Sequence, residues 1–316
     1  IRNAGGTVVE KPDPVTRLRA IKNETEIHGS RAAHLRDGVA MARFLAWLDR
    51  QQTGSVDEIT AACKLEEMRK LTAEEMGSEL REIAFDTISG AGANGAIVHY
   101  RVTNKSNRTL ETDSLYLVDS GGQYVDGTTD ITRTVAIGTP PAEAVDDATL
   151  VLKGHISIAM ARFPTGTRGI DLDPLARIAL WRAGKDYAHG TGHGVGSYLN
   201  VHEGPQSISR RGMAVLEPGM IISNEPGYYR EGAYGIRIEN LLLVTGAEAI
   251  SGGDQLMLGF ETLTLCPIDL RLVDPEKLTM EERDWLNAYH QRVHDSLAPH
   301  LNDEDRSWLE RATRAI

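Results

Sequence analysis

The chain predicts an α/β fold of the α+β kind, laid out as two halves of similar design. Three observations lead there. Stretches with apolar residues three and four apart are followed by short runs rich in β-branched residues. This order of helices and then strands occurs twice. Each set of strands also carries two acids, Asp119 and Asp130 in the first half and Glu225 and Glu239 in the second. Two such halves would suit a site at a pseudo-twofold interface.

Taken in order, residues 1–13 show no periodicity and read as loop. Ile27, Leu35, Val39, Ala42, Leu45 and Leu48 fall at helical spacing, so a helix is expected over 24–49, ended by Thr53-Gly54. Ser55-Val56-Asp57-Glu58 has the form of a capping box, with Ser55 as cap, and opens a helix to about Leu71. Strands are expected at 83–89, 96–102 and 115–118. Between the first two, Gly90-Ala91-Gly92-Ala93-Asn94-Gly95 fits the G-x-G-x-x-G pattern of dinucleotide sites. Such a site needs a helix N-terminus after the glycines to hold the pyrophosphate. Here A-I-V-H-Y-R-V follows and alternates like a strand, so the glycines read as a turn.

Asp119 ends the apolar run Leu115–Val118, and Asp130 opens the β-branched run I-T-R-T-V-A-I, with Ser120-Gly121-Gly122 as turn residues between. Pro140-Pro141 start a helix to about Arg162. Asp173 as N-cap with Pro174 at the first position starts another, to about Arg182. A Gly-rich segment follows over 189–204, then strands at 220–224 and 235–245. Thr279-Met280-Glu281-Glu282 is a second capping box, opening a helix through Tyr289, and a last helix covers about 304–312.

Composition narrows the function. With 34 basic and 45 acidic side chains the net charge is −11, which disfavours nucleic acid as the main partner. The longest apolar runs, such as ISIAMA, are far too short to span a bilayer, so no membrane partner is expected. The two cysteines, Cys63 and Cys266, make no disulfide or zinc-ribbon framework, and no secretory signal is visible. Together these read as a cytoplasmic protein. The first residue is Ile, so the chain reads as a fragment or a processed product.

The candidate chemistry lies in acids and imidazoles. A buried carboxylate must be paired, hydrogen-bonded or metal-bound, and two close together need a cation between them. Glu225 sits in I-I-S-N-E-P-G-Y-Y after an apolar run; Glu239 sits inside the apparent buried strand G-I-R-I-E-N-L-L-L-V. Taken alone, Glu239 is either a partner of Arg237, which points to the same face of a strand, or a metal ligand. His189 and His193 match the spacing of a helical zinc motif, but four glycines between 190 and 196 argue against a helix. His99 and His202 each read alone as hydrogen-bonded structural residues. As a set, carboxylates with one imidazole suit two divalent ions such as Mn²⁺ better than one thiolate-bound zinc. Two such ions can share a water, lower its pKa and clamp a substrate oxygen.

Four stretches carry a resemblance: Asp119–Thr134, His189–Pro205, Ser223–Tyr229 and Gly235–Asn240. They resemble the catalytic motifs of the creatinase/aminopeptidase P/methionine aminopeptidase superfamily. The long His-Gly segment and the terminal D-W-L-N-A-Y-H are most similar to the cytosolic aminopeptidase P (Xaa-Pro aminopeptidase) branch, from about residue 14 to the end.

The resemblance implies a pita-bread fold, two related halves around a curved, mostly antiparallel sheet. Residues 14–316 would be the catalytic domain, with a helical extension from about 262, and 1–13 the remnant of a linker from N-terminal domains. Asp119 would bind one metal ion, Asp130 and Glu239 both, and His193 and Glu225 the other. The ions would be Mn²⁺, with Zn²⁺ or Co²⁺ as alternatives, and a hydroxide between them would attack the carbonyl before proline. Glu225 would accept the proton. His99, His189, His202 and Arg237 would contact substrate, with His99 and His202 also in catalytic roles. The substrate would be a peptide with proline second, losing its first residue, and the full-length protein would be a homodimer. A prolidase, or a binding protein that keeps the fold without chemistry, are the alternatives.

Overall fold

The computed structural model describes residues 2–11 and 13–316. Ile1 and Pro12, part of the loop expected over 1–13, lie outside the described residues; Arg2–Ala4 form one 3-10 turn. The chain then follows the expected order. In the first half come α1 (Pro14–Ala20), α2 (Glu24–Asp49) and α3 (Glu58–Glu75). Strands β1 (Leu80–Ile83), β2 (Ile88–Ala91), β3 (Ser114–Ser120), β4 (Gly122–Tyr124), β5 (Gly127–Thr128) and β6 (Ile131–Ile137) follow. In the second half come α4 (Ala142–Ala159), β7 (Phe163–Pro164), α5 (Gly169–Arg182), β8 (Gly192–His193), β9 (Ser207–Ile208), β10 (Ile221–Asn224), β11 (Gly227–Arg230), β12 (Tyr234–Arg237) and β13 (Asn240–Val244). The chain closes with β14 (Glu248–Ala249), β15 (Leu256–Leu258), β16 (Phe260–Thr262), α6 (Met280–Leu297) and α7 (Asp303–Ala312).

The two halves use one plan. In the first, α2 and α3 pack on the antiparallel sheet β2-β3-β6 through Met41, Phe44, Leu65, Tyr116, Val118 and Val135. In the second, α4 and α5 pack on the antiparallel sheet β10-β13-β16 through Ile158, Leu172, Ala176, Ile222, Leu242 and Val244. Smaller antiparallel sheets, β1-β4-β5, β11-β12, β14-β15-β7 and β8-β9, extend these. The halves join where the Glu239 amide donates to the Thr132 carbonyl (3.1 Å) and the Thr134 hydroxyl donates to the Arg237 carbonyl (3.0 Å).

Arg133 locks this seam. Its guanidinium is 1 % exposed and donates to the carbonyls of Thr132, Glu239, Cys266 and Pro267, to Asn240 Oδ1 and to the Tyr289 hydroxyl, all at 2.7–3.0 Å. One side chain therefore ties β6, the start of β13 and the C-terminal region together.

The structure corrects several local expectations. The cap of α3 is Asp57, which accepts from the Thr60 amide at 2.7 Å, whereas the Ser55 hydroxyl donates to the Gln52 carbonyl. Helix α5 begins at Gly169, with Asp171 reaching back to the Arg168 amide (2.9 Å), so Asp173 and Pro174 lie inside it. Asp173 is instead buried and bonded to Arg177 and Thr191. The strand expected at 83–89 is two strands in different sheets. The expected 96–102 strand is absent: Gly92–Ala96 form a 3-10 helix and irregular backbone follows. No α-helix follows the glycines, as the rejection of a dinucleotide site requires. The expected 235–245 strand breaks at Ile238-Glu239, where the Ile238 amide turns to the Pro226 carbonyl and the Glu239 amide to Thr132.

Candidate metal centre

Backbone geometry brings the predicted ligands near one another from five places. Asp119 lies near the end of β3, opposite Thr132 on β6, and Asp130 immediately precedes β6. His193 ends the short β8, its amide donating to Ser223 Oγ at 2.9 Å. Glu225 follows β10, its amide donating to the Thr191 carbonyl at 2.7 Å. Glu239 occupies the break between β12 and β13. His155 holds that region from below: its ring lies 3.2 Å from the carbonyls of Asn224 and Ile238 and 3.0 Å from Asn240 Nδ2.

Asp130, His193 and Glu239 each offer one ligand atom within 4.8 Å of the others. His193 Nε2 lies 3.4 Å from Asp130 Oδ2 and 3.5 Å from Glu225 Oε1. Asp119 lies outside that three-residue group but near enough for its charge to act on Asp130, Glu225 and Glu239, and its Oδ2 is 2.5 Å from the Arg237 guanidinium. Arg237 thus pairs with Asp119 and not with Glu239. Glu239 instead accepts from Thr132 Oγ1 at 2.7 Å.

The electrostatics are those of too many carboxylates in one buried place. Burial, with the charge on Asp119, raises Asp130 to about 6 against the pull of His193. Burial, with the charges of Asp130 and Asp119, raises Glu225 to about 7 against His193 and Arg237. Glu239 is pushed well above the ordinary carboxylate range by burial and then by Asp130. Burial alone would lower His193, but the Asp130 hydrogen bond and the Glu225 charge outweigh it and hold the ring at about 9. Asp119 Oδ1 and Asp130 Oδ1 are buried with no hydrogen-bond partner among the described residues. Two partnerless carboxylate oxygens beside an imidazole and two further acids fit oxygen-preferring divalent cations.

Histidines surround the cluster. The His202 ring stands edge-on to His193, centroids 4.1 Å apart, and burial followed by the His193 charge lowers it to about 4. His189 Nδ1 donates to the Gly190 carbonyl (2.8 Å), so Nε2 accepts from the Tyr229 hydroxyl (2.8 Å). Burial above all lowers this ring too, to about 4. Tyr229 in turn accepts from Arg237 Nη1 at 2.6 Å. His99 is exposed on the irregular segment after the 3-10 helix, near enough to His189 and His202 for its charge to act on both.

Sequence reasoning missed Thr132, Ser223 and Tyr229 as parts of this centre. Thr132 and Ser223 lie two residues from predicted ligands, and Tyr229 lies inside the quoted S-N-E-P-G-Y-Y stretch, so proximity was the available signal. Ser223 Oγ donates to Glu225 Oε1 at 3.2 Å.

Comparison with known proteins fits this geometry. Residues 28–246 match the family model of metallopeptidase family M24, and residues 256–316 match the C-terminal region of peptidase M24. The chain is 43 % identical to aminopeptidase P1 of Arabidopsis thaliana, over 98 % of this chain and 51 % of that protein. It is 47 % identical to a probable Xaa-Pro aminopeptidase P of Fusarium vanettenii, over 100 % of this chain and 52 % of that protein. It therefore spans about half the length of the curated relatives it matches. A solved X-prolyl aminopeptidase from Caenorhabditis elegans, described as a cytosolic enzyme with a di-nuclear active site, superposes with a TM-score of 0.90 at 41 % identity, over 96 % of this chain and 50 % of that one. Prolidase from Pyrococcus furiosus superposes with a TM-score of 0.66 at 28 % identity, over 79 % of this chain and 66 % of that one. No helix among the described residues is long and apolar enough to cross a membrane. The arrangement of helix pairs and antiparallel sheets is the pita-bread fold, and the chain belongs to metallopeptidase family M24.

Proposed function

We propose that the chain is the catalytic domain, residues 14–316, of a cytosolic Xaa-Pro aminopeptidase with two divalent metal ions. The observation that carries the reading is the convergence of Asp119, Asp130, His193, Glu225 and Glu239 with two partnerless buried oxygens. Asp119 would hold one ion, His193 and Glu225 the other, and Asp130 and Glu239 both. The donors are mostly carboxylate oxygens, which favours Mn²⁺, with Zn²⁺ or Co²⁺ as alternatives. When bound, a pair of such cations supplies an acidified water as nucleophile and polarises the substrate carbonyl.

The remaining steps belong to the chain. Glu225, steadied by the Ser223 hydroxyl, accepts the proton released as water attacks the bond before proline, and delivers it to the leaving proline nitrogen. His202 is a neutral imidazole at pH 7 and can donate one N–H to the developing oxyanion. His99 and His189 line the path of the peptide. The Arg237–Tyr229 pair fixes the His189 ring and holds Asp119 in place.

A prolidase is the nearest rival, because Pyrococcus furiosus prolidase shares the fold. The higher superposition and identity with the Caenorhabditis elegans X-prolyl aminopeptidase favour the aminopeptidase. The test is an assay of the full-length enzyme with Mn²⁺ on Xaa-Pro-Xaa tripeptides against Xaa-Pro dipeptides. The expected result is release of the first amino acid from the tripeptides. Cleavage of dipeptides alone would assign a prolidase, and cleavage of neither would leave a binding protein.

A further inference from the structure

We propose that Glu58 is a positioning residue for substrate: its buried carboxylate pins the loop over 91–108 so that His99 is presented at the metal centre. This rests on the reading of His99 as a substrate-contacting residue. Glu58 is the first residue of α3 and is fully buried. Its oxygens accept from the Ala91 amide (2.7 Å), from Asn94 Nδ2 (2.9 and 3.1 Å) and from the Arg108 amide (3.0 Å). The Tyr100 hydroxyl lies 2.9 Å from Glu58 Oε2 and 2.9 Å from the Ser106 carbonyl, so its proton serves one of them at a time. These contacts grip the loop at its start, its middle and its end.

Elsewhere the loop is held by short-range turns, such as the Ser106 and Asn107 amides on the Thr103 carbonyl, and by Tyr100 packing on Ile88 and Leu117. Past Ala96 it has no helix or strand before β3, and His99 stands exposed directly before the gripped Tyr100. On its other side Gly95 presses on β12, where a Cβ at Gly235 would fall 1.7 Å from the Gly95 carbonyl oxygen. The loop is thus clamped between a carboxylate from α3 and the strand that leads to Arg237 and Glu239. A group that accepts only, facing donors only, is what this grip requires. Glutamine at 58 would turn an amide N–H₂ toward other donors, and the loop would have to shift to relieve them.

The test is a double-mutant cycle in the full-length, metal-loaded enzyme with an Xaa-Pro-Xaa tripeptide. The variants are Glu58→Gln, His99→Ala and the pair, with bound metal and unfolding temperature measured for each. Displacing a substrate-contacting group by about 1 Å costs about 100-fold in rate, so Glu58→Gln is expected to lower kcat/KM about that much with metal content unchanged. The double variant is expected to be no worse than His99→Ala, because both changes remove one contact. A merely structural Glu58 would give multiplying losses, and that result overturns the proposal, as does unaltered kcat/KM in Glu58→Gln. Where Glu58→Gln fails to fold, Tyr100→Phe takes its place in the cycle and must show the same non-additivity. Full activity in His99→Ala would instead overturn the role of His99, and the positioning role with it; a damaged His99→Ala beside an intact Glu58→Gln or Tyr100→Phe overturns the positioning role alone.

Discussion

Glu58 and Asp130 are both buried carboxylates, 0 and 3 % exposed, yet they sit in opposite surroundings. Every donor around Glu58 is a neutral amide or hydroxyl, and both of its oxygens are used. Asp130 has one oxygen with no partner, Asp119 has another, and burial drives Asp130 up to about 6. A buried acid with its acceptors filled is a fastener; a cluster of acids with oxygens to spare is a vessel for positive charge. Arg133 shows the same contrast in reverse, a buried cation whose donors are all taken by carbonyls, an amide and a hydroxyl.

The largest effect is expected where the vessel loses charge. On the proposed reading Asp130 would hold both ions, so in Asp130→Asn binding of both metals and all turnover are expected to vanish; elemental analysis and the tripeptide assay check this. Two tightly retained ions in that variant would break the contrast with Glu58. Next comes the filled cluster at the seam. Arg133→Met would leave several buried carbonyls unpaired and is expected to cost about 3–5 kcal/mol of stability, read by urea denaturation. A cost under about 1 kcal/mol would show that the seam does not depend on it.

Smaller effects separate holding from reacting. His202→Ala is expected to keep its metals and to lose about 2.7–4 kcal/mol of transition-state stabilisation, seen in kcat. Thr132→Val takes away the hydroxyl that donates to Glu239 and is expected to weaken metal affinity about 10–100-fold, measured by competition with a chelator.

The smallest effect is on acid stability. His290 Nε2 accepts from the Ile268 amide, and burial, followed by Arg133, lowers the ring to about 3. The unfolded chain therefore takes up a proton below about pH 6.5 that the folded one refuses, and stability falls by about 1.4 kcal/mol per pH unit below that point for this group. His34, lowered mainly by burial, acts in the same direction. Urea denaturation from neutral pH down to about pH 5 is expected to show a shallower decline in His290→Asn than in the parent.

The sequence made the acids legible because each stands beside an apolar or β-branched run, where a solvated charge is out of place. It also located α2, from Glu24 to Asp49, because its apolar spacing is regular; the Asn23 and Glu26 cap is found in the structure. What it hid was set by distant partners. A-I-V-H-Y-R-V alternates like a strand, but Tyr100 and Asn94 answer to Glu58, forty residues away or thereabouts, and the backbone bends to them. Glu58 looked like a capping partner of Ser55 because the local pattern S-x-x-E is the same whether the acid turns back or turns inward. Asp173 fitted a cap before Pro174, but the Asp171 side chain closes the turn earlier and leaves Asp173 for Arg177. The break at Ile238-Glu239 was invisible because its hydrogen bonds go to Pro226, beyond the β11–β12 hairpin, and to Thr132, across the seam.

The most direct test is anomalous diffraction from crystals of the protein grown with Mn²⁺. Two manganese peaks are expected, shared among Asp119, Asp130, His193, Glu225 and Glu239. Full Mn²⁺ in the crystal with no peak among those five side chains, or with peaks elsewhere, would contradict the reading of this cluster as a metal centre.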